Sequence, residues 1–243
     1  QSGCRTLLHG AGFGPLSPRG WAKCTAALNE CADTLVFRER ESLAAARKHG
    51  INAPELILGA DGAAETSVSA APRENVLLVC PRRGLGAPPF PAEYARAAAE
   101  IAAKRGWKLR YIAMNVRQDL PLCRALVSET GGEAAAAPED TAALTRLFAS
   151  ARLTVSMRLH ALTLSYLAGT PAFGIDGDGR IAAFAKECGI PYRTVEECGD
   201  IAAALEEALT AETPDAAIWN DRLAAGRAAL ARALRAPEKE KEK

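Results

Sequence analysis

The feature that most constrains the fold of this 243-residue chain is the alternation of short apolar runs with longer, alanine-rich amphipathic segments. The run Leu77-Leu78-Val79 is typical of a strand that is buried on both faces of a sheet. Strands that alternate with helices form parallel sheets, because the chain must cross over to return to the same edge. We therefore predict an α/β protein in which helices cover both faces of parallel sheets.

The individual elements follow from this pattern. Strands are predicted at residues 5–9, 34–38, 56–58, 76–80, 108–113, 153–156 and 172–175. Helices are predicted at residues 18–30, 42–49, 92–104, 120–130, 141–150, 159–167, 181–187, 201–209 and 216–235. The last helix places Trp219, Leu223, Leu230 and Leu234 on one face, which should dock against another part of the protein.

The segment 63–74 interrupts the alternation, since it is rich in Ala, Ser and Pro and has no helical or strand period. We interpret it as a linker between two Rossmann-like domains. Residues 1–62 would be the C-terminal part of an N-terminal domain that is incomplete in this chain, because three strands make a thin sheet. Residues 75–212 would form a second domain, and residues 213–243 a docking helix with a charged tail.

Composition and charge argue against several functional classes. The 30 basic and 29 acidic side chains leave a net charge of +1, whereas a nucleic-acid-binding protein is expected to be basic. The seven cysteines form no Cys-x-x-Cys pair, so no metal site is predicted. No apolar run is as long as a membrane span. We expect a cytoplasmic protein that is not an integral membrane protein.

The strongest candidate for chemistry is the segment SMRLHA at residues 156–161, which joins a predicted strand to a predicted helix. Ser156, Arg158 and His160 would therefore lie at the carboxyl edge of a parallel sheet, where such sheets bind ligands. The helix N-terminus favours an anion, Arg158 can hold a phosphate or carboxylate through two N–H groups, and His160 can exchange a proton near neutral pH. The alternative is structural: His160 caps the turn and Arg158 pairs with a carboxylate.

A glycine-rich turn, GAGFGP at residues 10–15, follows the first predicted strand. Glycines such as Gly12 and Gly14 allow the backbone to approach a ligand closely. The spacing begins like a dinucleotide fingerprint, but Pro15 replaces its last glycine and no acidic residue follows the second strand at the usual distance. These departures argue against a nicotinamide cofactor. A tight turn without a ligand is the alternative.

Arginines end or follow three other predicted strands at the same type of edge. Arg38 ends the second strand, Arg82 follows the fourth and Arg180 follows the seventh. Together with Arg158 they would line a cleft between two domains that suits a small, multiply charged anion. For Arg38 the alternative is a solvated charge cluster in which Ser42 caps the next helix.

These motifs resemble the polysaccharide pyruvyl transferase family, especially its bacterial cell-wall type. The glycine-rich turn at 10–15, the Arg-Glu-x-x-Ser element at 38–42 and the Ala-Asp element at 60–61 occur in the order of the family's motifs. The arginine-ended strand at 76–82 and the segment at 156–161 come next. The GDGR turn at 177–180 then replaces the family's Tyr-Asp-Pro-Lys turn, with Arg180 in place of lysine. The resemblance extends to about residue 189, and the family's N-terminal segment is not in this sequence.

The resemblance implies a fold like that of the GT-B glycosyltransferases and a transferase that uses phosphoenolpyruvate as co-substrate, with no cofactor or metal. Its pyruvyl group would become a cyclic ketal on a lipid-diphosphate-linked amino-sugar acceptor of the N-acetylmannosamine type, at the inner face of the membrane. In cell-wall biogenesis this ketal on the secondary cell wall polysaccharide would help to anchor surface-layer (S-layer) proteins. His160 and Arg158 would be catalytic. The residues expected to bind substrate are Arg38, Arg82, Arg180, Gly12, Gly14 and Ser156.

Two other functions are compatible with the same sequence. A nucleotide-sugar glycosyltransferase of the same fold also needs a basic cleft for a diphosphate, and a preference for uridine diphosphate over phosphoenolpyruvate would identify it. A non-catalytic sugar-binding module would bind anions weakly and tolerate replacement of His160.

Overall fold

The computed structural model describes residues 5–13, 16–68, 71–84, 88–197, 199–212 and 219–235. They form two compact units. Unit 1 comprises the described residues within Gln1–Glu65 and Ala217–Lys243, and unit 2 those within Thr66–Ala216. Each unit contains a parallel sheet with helices packed on it, which confirms the predicted α/β class with Rossmann-like sheets.

Unit 1 is built on a three-stranded parallel sheet. Its strands pair in chain order and are β1 (Leu7–Ala11), β2 (Thr34–Phe37) and β3 (Glu55–Leu58). Its helices are α1 (Pro18–Cys31), α2 (Arg40–Lys48), a 3-10 helix at Gly62–Glu65 and the last helix of the chain, α9 (Asn220–Leu234). The 3-10 helix lies partly within the segment 63–74 that the sequence pattern assigns to a linker.

The last helix, α9, packs against all three strands of unit 1, but only part of the predicted face is buried: Trp219 is buried and Leu223 half-buried. The buried positions on and just before it are Trp219, Arg222, Gly226 and Ala229. Leu230 and Leu234 are exposed instead. Gly226 explains the difference, because a Cβ there would lie 2.7 Å from His9 Nε2. The absence of a side chain at Gly226 lets α9 approach the sheet more closely than a leucine face would.

Unit 2 is built on a six-stranded, all-parallel sheet. Its strands are β4 (Val76–Cys80), β5 (Lys108–Ala113), β6 (Glu133–Ala136), β7 (Leu153–Ser156), β8 (Ala172–Asp176) and β9 (Tyr192–Thr194). Their spatial order is β6-β5-β4-β7-β8-β9. The direction of the order reverses between β4 and β7, which is the position where doubly wound sheets open a crevice for ligands.

Helices cover both faces of this sheet. They are α3 (Ala92–Arg105), α4 (Val116–Thr130), α5 (Thr141–Ser150), α6 (Leu159–Leu167), α7 (Arg180–Cys188) and α8 (Ile201–Thr210). All five residues of β4 are buried, and alternate side chains enter opposite cores. Leu77 and Val79 pack with α3, α4 and α8, whereas Leu78 packs with α5 and α6. Among the described helices, none combines the length and apolarity that a membrane span requires.

Both edge strands of unit 2, β6 and β9, are missing from the prediction. The sequence of β6 is Glu-Ala-Ala-Ala, with no β-branched or aromatic residue, and β9 has three residues. These strands form because they pair with β5 and β8, not because their own sequences favour a strand. The local sequence pattern therefore could not predict them.

The start of α4 also differs from the prediction, with a consequence for the site. The sequence pattern places the start near Leu120, but the helix begins at Val116 because the Asn115 side chain accepts a hydrogen bond from Gln118 N at 3.1 Å. Asp119 therefore lies in the first turn of α4. Most other predicted bounds differ from the observed ones by one or two residues, which is the usual uncertainty at element ends.

Arg73, just before β4, closes the C-terminal ends of α5 and α6. Its Nη1 donates to Ala149 O at 2.8 Å and to Ala151 O at 2.9 Å. Its Nη2 donates to Gly169 O at 2.7 Å, and Thr170 Oγ1 is a further acceptor. Helix C-termini leave such carbonyls without intrahelical partners, so one guanidinium satisfies two helix ends at once.

We predict that Arg73→Ala lowers the free energy of unfolding by about 2–3 kcal/mol, because hydrogen bonds from a charged donor contribute roughly 1.5–3 kcal/mol. The matched control is Arg146→Ala, since Arg146 is an exposed arginine of α5, and its effect should stay within about 0.5 kcal/mol. Urea denaturation followed by circular dichroism measures both values. Equal effects of the two variants would refute a structural role for Arg73.

Candidate functional site

The carboxyl edge of the unit 2 sheet brings two of the predicted site residues to neighbouring strand ends. In the pairing of β4 with β7, Cys80 lies opposite Ser156, and Met157 N donates to Cys80 O at 3.0 Å. Arg82 and Arg158 each follow their strand by two residues. Both arginines therefore lie beside the point where the strand order reverses.

Ser156 fixes the backbone that carries Arg158. Its Oγ accepts a hydrogen bond from Arg158 N at 2.9 Å and donates one to Arg158 O at the same distance. Arg158 is the N-cap of α6, with an extended backbone conformation and no side-chain capping bond. In this structure Ser156 is a buried positioning residue.

A buried carboxylate that the sequence analysis missed holds the Arg158 side chain. Asp119 is fully buried, and its Oδ1 accepts from Arg158 Nη2 at 2.5 Å and from Arg83 N at 3.3 Å. Its Oδ2 accepts from Asn115 N at 2.8 Å. Asp119 thus joins the segments that follow β4, β5 and β7. The sequence did contain a signal for this carboxylate. Asp119 comes four positions after Asn115, a capping residue that follows the predicted strand at 108–113.

The guanidinium of Arg158 is only partly satisfied by these contacts. Nη2 also lies 3.4 Å from Gln118 Oε1, while Nε is buried and has no hydrogen-bond acceptor among the described residues. A buried donor without an acceptor costs roughly 1–3 kcal/mol. Arg158 is therefore held on one side by Asp119 and keeps an unused donor on its inner side.

His160 lies in the first turn of α6, two residues after Arg158, and is exposed. Its neighbour Ala161 is fully buried, so the helix presents His160 to solvent while the adjacent position anchors the turn. The partial positive charge of a helix N-terminus favours an anion here. Arg158 and His160 are thus brought to one helix end, as predicted from the sequence.

Arg82 and Arg180 share one carboxylate, Asp178. Arg82 Nη1 lies 2.6 Å from Asp178 Oδ2, and Arg180 Nε donates to Asp178 Oδ1 at 3.0 Å. Burial by itself would raise the pKa of Asp178, but the hydrogen bonds and charges of Arg180 and Arg82 outweigh it and hold that pKa well below its ordinary value. Arg82, after β4, and Arg180, after β8, are therefore held next to each other by Asp178. The sequence analysis assigned no role to Asp178.

Asp176 completes this edge as a cap for α7. Its Oδ2 accepts from Gly179 N at 2.9 Å, and its Oδ1 accepts from Ile181 N at 3.0 Å and from Ala182 N at 3.2 Å. Gly179 adopts a positive φ of 85°. The carboxylate of Asp176 thus uses amides that α7 would otherwise offer to a ligand, so Arg180 rather than the helix end faces outward at this turn.

In unit 1, Arg38 lies against the glycine-rich turn. A Cβ at Gly12 would come within 2.5 Å of Arg38 Nε, so the glycine is needed for the guanidinium to occupy this position. Arg38 Nη1 lies 2.9 Å from Asp61 Oδ2, and its Nε lies 3.4 Å from Glu39 Oε2. Gly14 lies outside the described residues.

Ser42 connects the second half of the same network. Its Oγ donates to Glu39 Oε1 at 2.6 Å and accepts from Phe13 N at 2.8 Å. The glycine-rich turn, the Arg-Glu-x-x-Ser element and the Ala-Asp element are therefore joined by hydrogen bonds within unit 1. Ser42 is not the cap of α2, as the structural alternative proposed: the N-cap is Glu39, without a side-chain capping bond, and Ser42 links the Arg-Glu-x-x-Ser element to the glycine-rich turn.

The fold and this edge define a class of protein: α/β units of the kind found in GT-B glycosyltransferases and sugar epimerases. The UDP-N-acetylglucosamine 2-epimerase from Rickettsia bellii is 10% identical, with a TM-score of 0.62, over 95% of this chain and 67% of that one. AviGT4, a glycosyltransferase of avilamycin A biosynthesis, is 16% identical, with a TM-score of 0.50, over 83% of this chain and 64% of that one. Anabaena HepE, solved with UDP and glucose, is 14% identical, with a TM-score of 0.53, over 88% of this chain and 63% of that one. The chain spans about two thirds of the length of each of these proteins. Identities this low show the fold alone.

The family model for polysaccharide pyruvyl transferase matches residues 1–179, and the chain belongs to this family. The matched region includes every predicted site residue except Arg180. A search of curated proteins found no match to the sequence.

We predict that Gly12→Ala displaces the Arg38 guanidinium from Asp61 and lowers the free energy of unfolding by about 1.5–3 kcal/mol, the contribution of a hydrogen bond to a charged group. Gly62→Ala is the control, because a Cβ there meets no atom within 4 Å. Thermal denaturation of both variants, repeated in an Asp61→Asn background, measures the coupling. An undiminished effect of Gly12→Ala in that background would contradict the explanation.

A second prediction concerns pH. The folded-state pKa of Asp178 lies below its ordinary value of 3.8, so its ion pairs stabilise the protein above about pH 4 and this stabilisation is lost as the pH falls through the folded-state pKa. Asp178→Asn should therefore be less stable than the wild type at pH 6, by about 1–2 kcal/mol, and the difference should shrink towards pH 2. Urea denaturation across this range tests it. Glu139→Gln, which alters an exposed carboxylate, should show no such convergence.

Proposed function

We propose that this protein transfers the pyruvyl group of phosphoenolpyruvate to two hydroxyls of a cell-wall sugar precursor, which forms a cyclic ketal and releases phosphate. One observation carries the proposal: Arg158 and Arg82 follow neighbouring strand ends, and His160 lies on the same helix turn as Arg158. Membership of the pyruvyl transferase family supports the choice of reaction, and we propose that it takes place at this edge.

In the proposed complex Arg158 binds one of the two anionic groups of phosphoenolpyruvate. Asp119 already holds its Nη2, so the guanidinium cannot rotate freely, and little side-chain entropy would be lost on binding. The buried Nε, which lacks an acceptor, is the donor that a ligand oxygen or a bridging water would complete. The α6 N-terminus adds a favourable dipole.

The second anionic group is assigned to Arg82 and Arg180. Both guanidiniums contact the carboxylate of Asp178, which holds them side by side. Asp178 stays ionised throughout the neutral range, because its pKa is lowered, and so keeps both guanidiniums in place. Such fixed charges can stabilise a departing phosphate without reorganisation at the moment of reaction. Arg38 is proposed as a substrate-binding residue of unit 1.

His160 is the proposed general acid and base. As the imidazolium it donates a proton to the methylene carbon of phosphoenolpyruvate, while a sugar hydroxyl attacks the neighbouring carbon and returns a proton to the imidazole. A second hydroxyl then attacks the same carbon, the bond to the phosphate oxygen breaks, and the remaining hydroxyl proton leaves with phosphate. The methylene becomes the methyl group of the ketal.

The acceptor is proposed from the sequence resemblance. It is a lipid-diphosphate-linked sugar of the N-acetylmannosamine type, modified at the inner face of the membrane for the secondary cell wall polysaccharide that anchors the S-layer. We therefore propose that the protein is cytoplasmic and acts at this face of the membrane.

We predict that His160→Ala lowers the rate of acceptor-dependent phosphate release by about 100-fold or more, the usual contribution of a general acid or base, while phosphoenolpyruvate still binds. The assay combines the chain, phosphoenolpyruvate and a diphosphate-linked N-acetylmannosaminyl disaccharide. It follows phosphate and the mass of the sugar. His49→Ala, an exposed histidine that stacks on Trp21, is the control and should retain the activity.

Calorimetric titration with phosphoenolpyruvate distinguishes the proposed binding role of Arg158 from the proposed catalytic role of His160. Arg158→Ala should weaken phosphoenolpyruvate binding about tenfold or more, which corresponds to the loss of one charged hydrogen bond. Full turnover by His160→Ala would refute its role. Tighter binding of uridine diphosphate than of phosphoenolpyruvate to the wild type would replace the proposal with a glycosyltransferase.

A further inference from the structure

A cavity of about 280 Å³ lies at the amino edge of the unit 2 sheet, opposite the edge of Arg158 and His160. It is formed by residues that precede strands or end helices, and those used below are Arg73, Arg105, Trp107, Arg152, Pro171 and Leu209. Arg152 directly precedes β7, and Trp107 directly precedes β5. Because strands of a parallel sheet start at one edge and end at the other, this cavity is separate from the site of Arg158 and His160.

The lining of the cavity is strongly cationic. Three of the residues that line it are arginines, and no acidic residue is among the described lining residues. Arg105 pairs with Glu206, which lies outside the lining. Arg152 is exposed, and none of the ion pairs found among the described residues involves it. An anion in the cavity would therefore meet an uncompensated positive charge.

Arg152 has no structural explanation comparable to that of Arg73. Arg73 donates to the carbonyls that end α5 and α6, which accounts for its presence. Burial and then the positive charge of Arg152 lower the pKa of Arg73, so the two guanidiniums repel each other. A bound anion would relieve this repulsion and gain binding free energy from it.

One wall of the cavity is apolar. Trp107 carries the guanidinium of Arg105 at 5.2 Å from its ring centroid, which holds that cation beside the indole. Pro171 and Leu209 provide the remaining apolar surface. A ligand that combines an oxyanion with a compact ring would contact both the cations and this wall. The volume suits a molecule of about that size and is below the range of most drug-sized ligands.

We propose that this cavity at the amino edge of unit 2 binds a small phosphate monoester, with the phosphate on Arg152 and Arg105 and the organic part against Trp107. The proposal is independent of phosphoenolpyruvate binding at the carboxyl edge. Arg73 contributes charge to the site but keeps its hydrogen bonds to the helix ends.

The test uses the full chain carrying Arg82→Gln, which impairs the carboxyl edge while Asp178 keeps Arg180 as a partner, with phenyl phosphate and inorganic phosphate as probes in calorimetric titrations. We expect saturable binding of phenyl phosphate that weakens about tenfold when Arg152→Gln is added, the loss of one charged contact. Arg146→Gln, at another exposed arginine, should leave it unchanged. Thermal denaturation verifies that each variant is folded.

Three results would overturn the proposal. The first is no saturable binding of phenyl phosphate up to about 10 mM, beyond which the affinity is too weak to be specific. The second is equal affinity with and without Arg152→Gln. The third is that phenyl phosphate and inorganic phosphate bind with equal affinity and that Trp107→Phe changes neither affinity. This result would show that the organic part of the ester is not recognised.

Discussion

Asp119 is the buried carboxylate on which the carboxyl edge of unit 2 depends. It accepts hydrogen bonds from Arg158, Arg83 and Asn115, and so joins the segments after three strands of the sheet. A buried charge is tolerated only when it is paired and hydrogen-bonded, and removal of one partner is expected to cost about 3–5 kcal/mol. The position of Arg158 is therefore set by the interior of unit 2 as much as by any ligand, and an anion meets a guanidinium whose orientation is already determined.

The same principle recurs wherever the sequence places an arginine at a strand end. Arg82 and Arg180 share Asp178, and Arg38 lies between Asp61 and Glu39. Each pairing lowers the charge that a ligand meets but fixes the geometry of the cation. For the proposed reaction, in which phosphate would leave, fixed and partly neutralised cations are suitable, because they would stabilise developing charge without binding the product too tightly.

The polarity of a parallel sheet explains why unit 2 has two chemically different edges. Helices begin at the carboxyl edge, where their amides are capped by Asp176 at α7 and lack a side-chain cap at α6. They end at the amino edge, where their carbonyls are satisfied by Arg73. Amide donors collect at one edge and carbonyl acceptors at the other, so cations at the two edges have different roles. At the amino edge Arg73 donates to helix-end carbonyls and is structural. The need to satisfy these carbonyls does not explain the presence of Arg152.

The sequence by itself determined the α/β class, the central strands and the grouping of Arg158 with His160, because continuous apolar runs and a strand-to-helix turn are local patterns. It also carried the family motifs in order. Tertiary structure decided the rest: the edge strands β6 and β9, the face through which α9 docks, and the carboxylates at Asp119, Asp178 and Asp61 that hold the arginines. Asp119 and Asp178 are 39 and 96 residues away from Arg158 and Arg82 in the chain. No local pattern relates residues so distant, and only the pairing of β4 with β7 and β8 with its neighbours brings them within hydrogen-bonding distance.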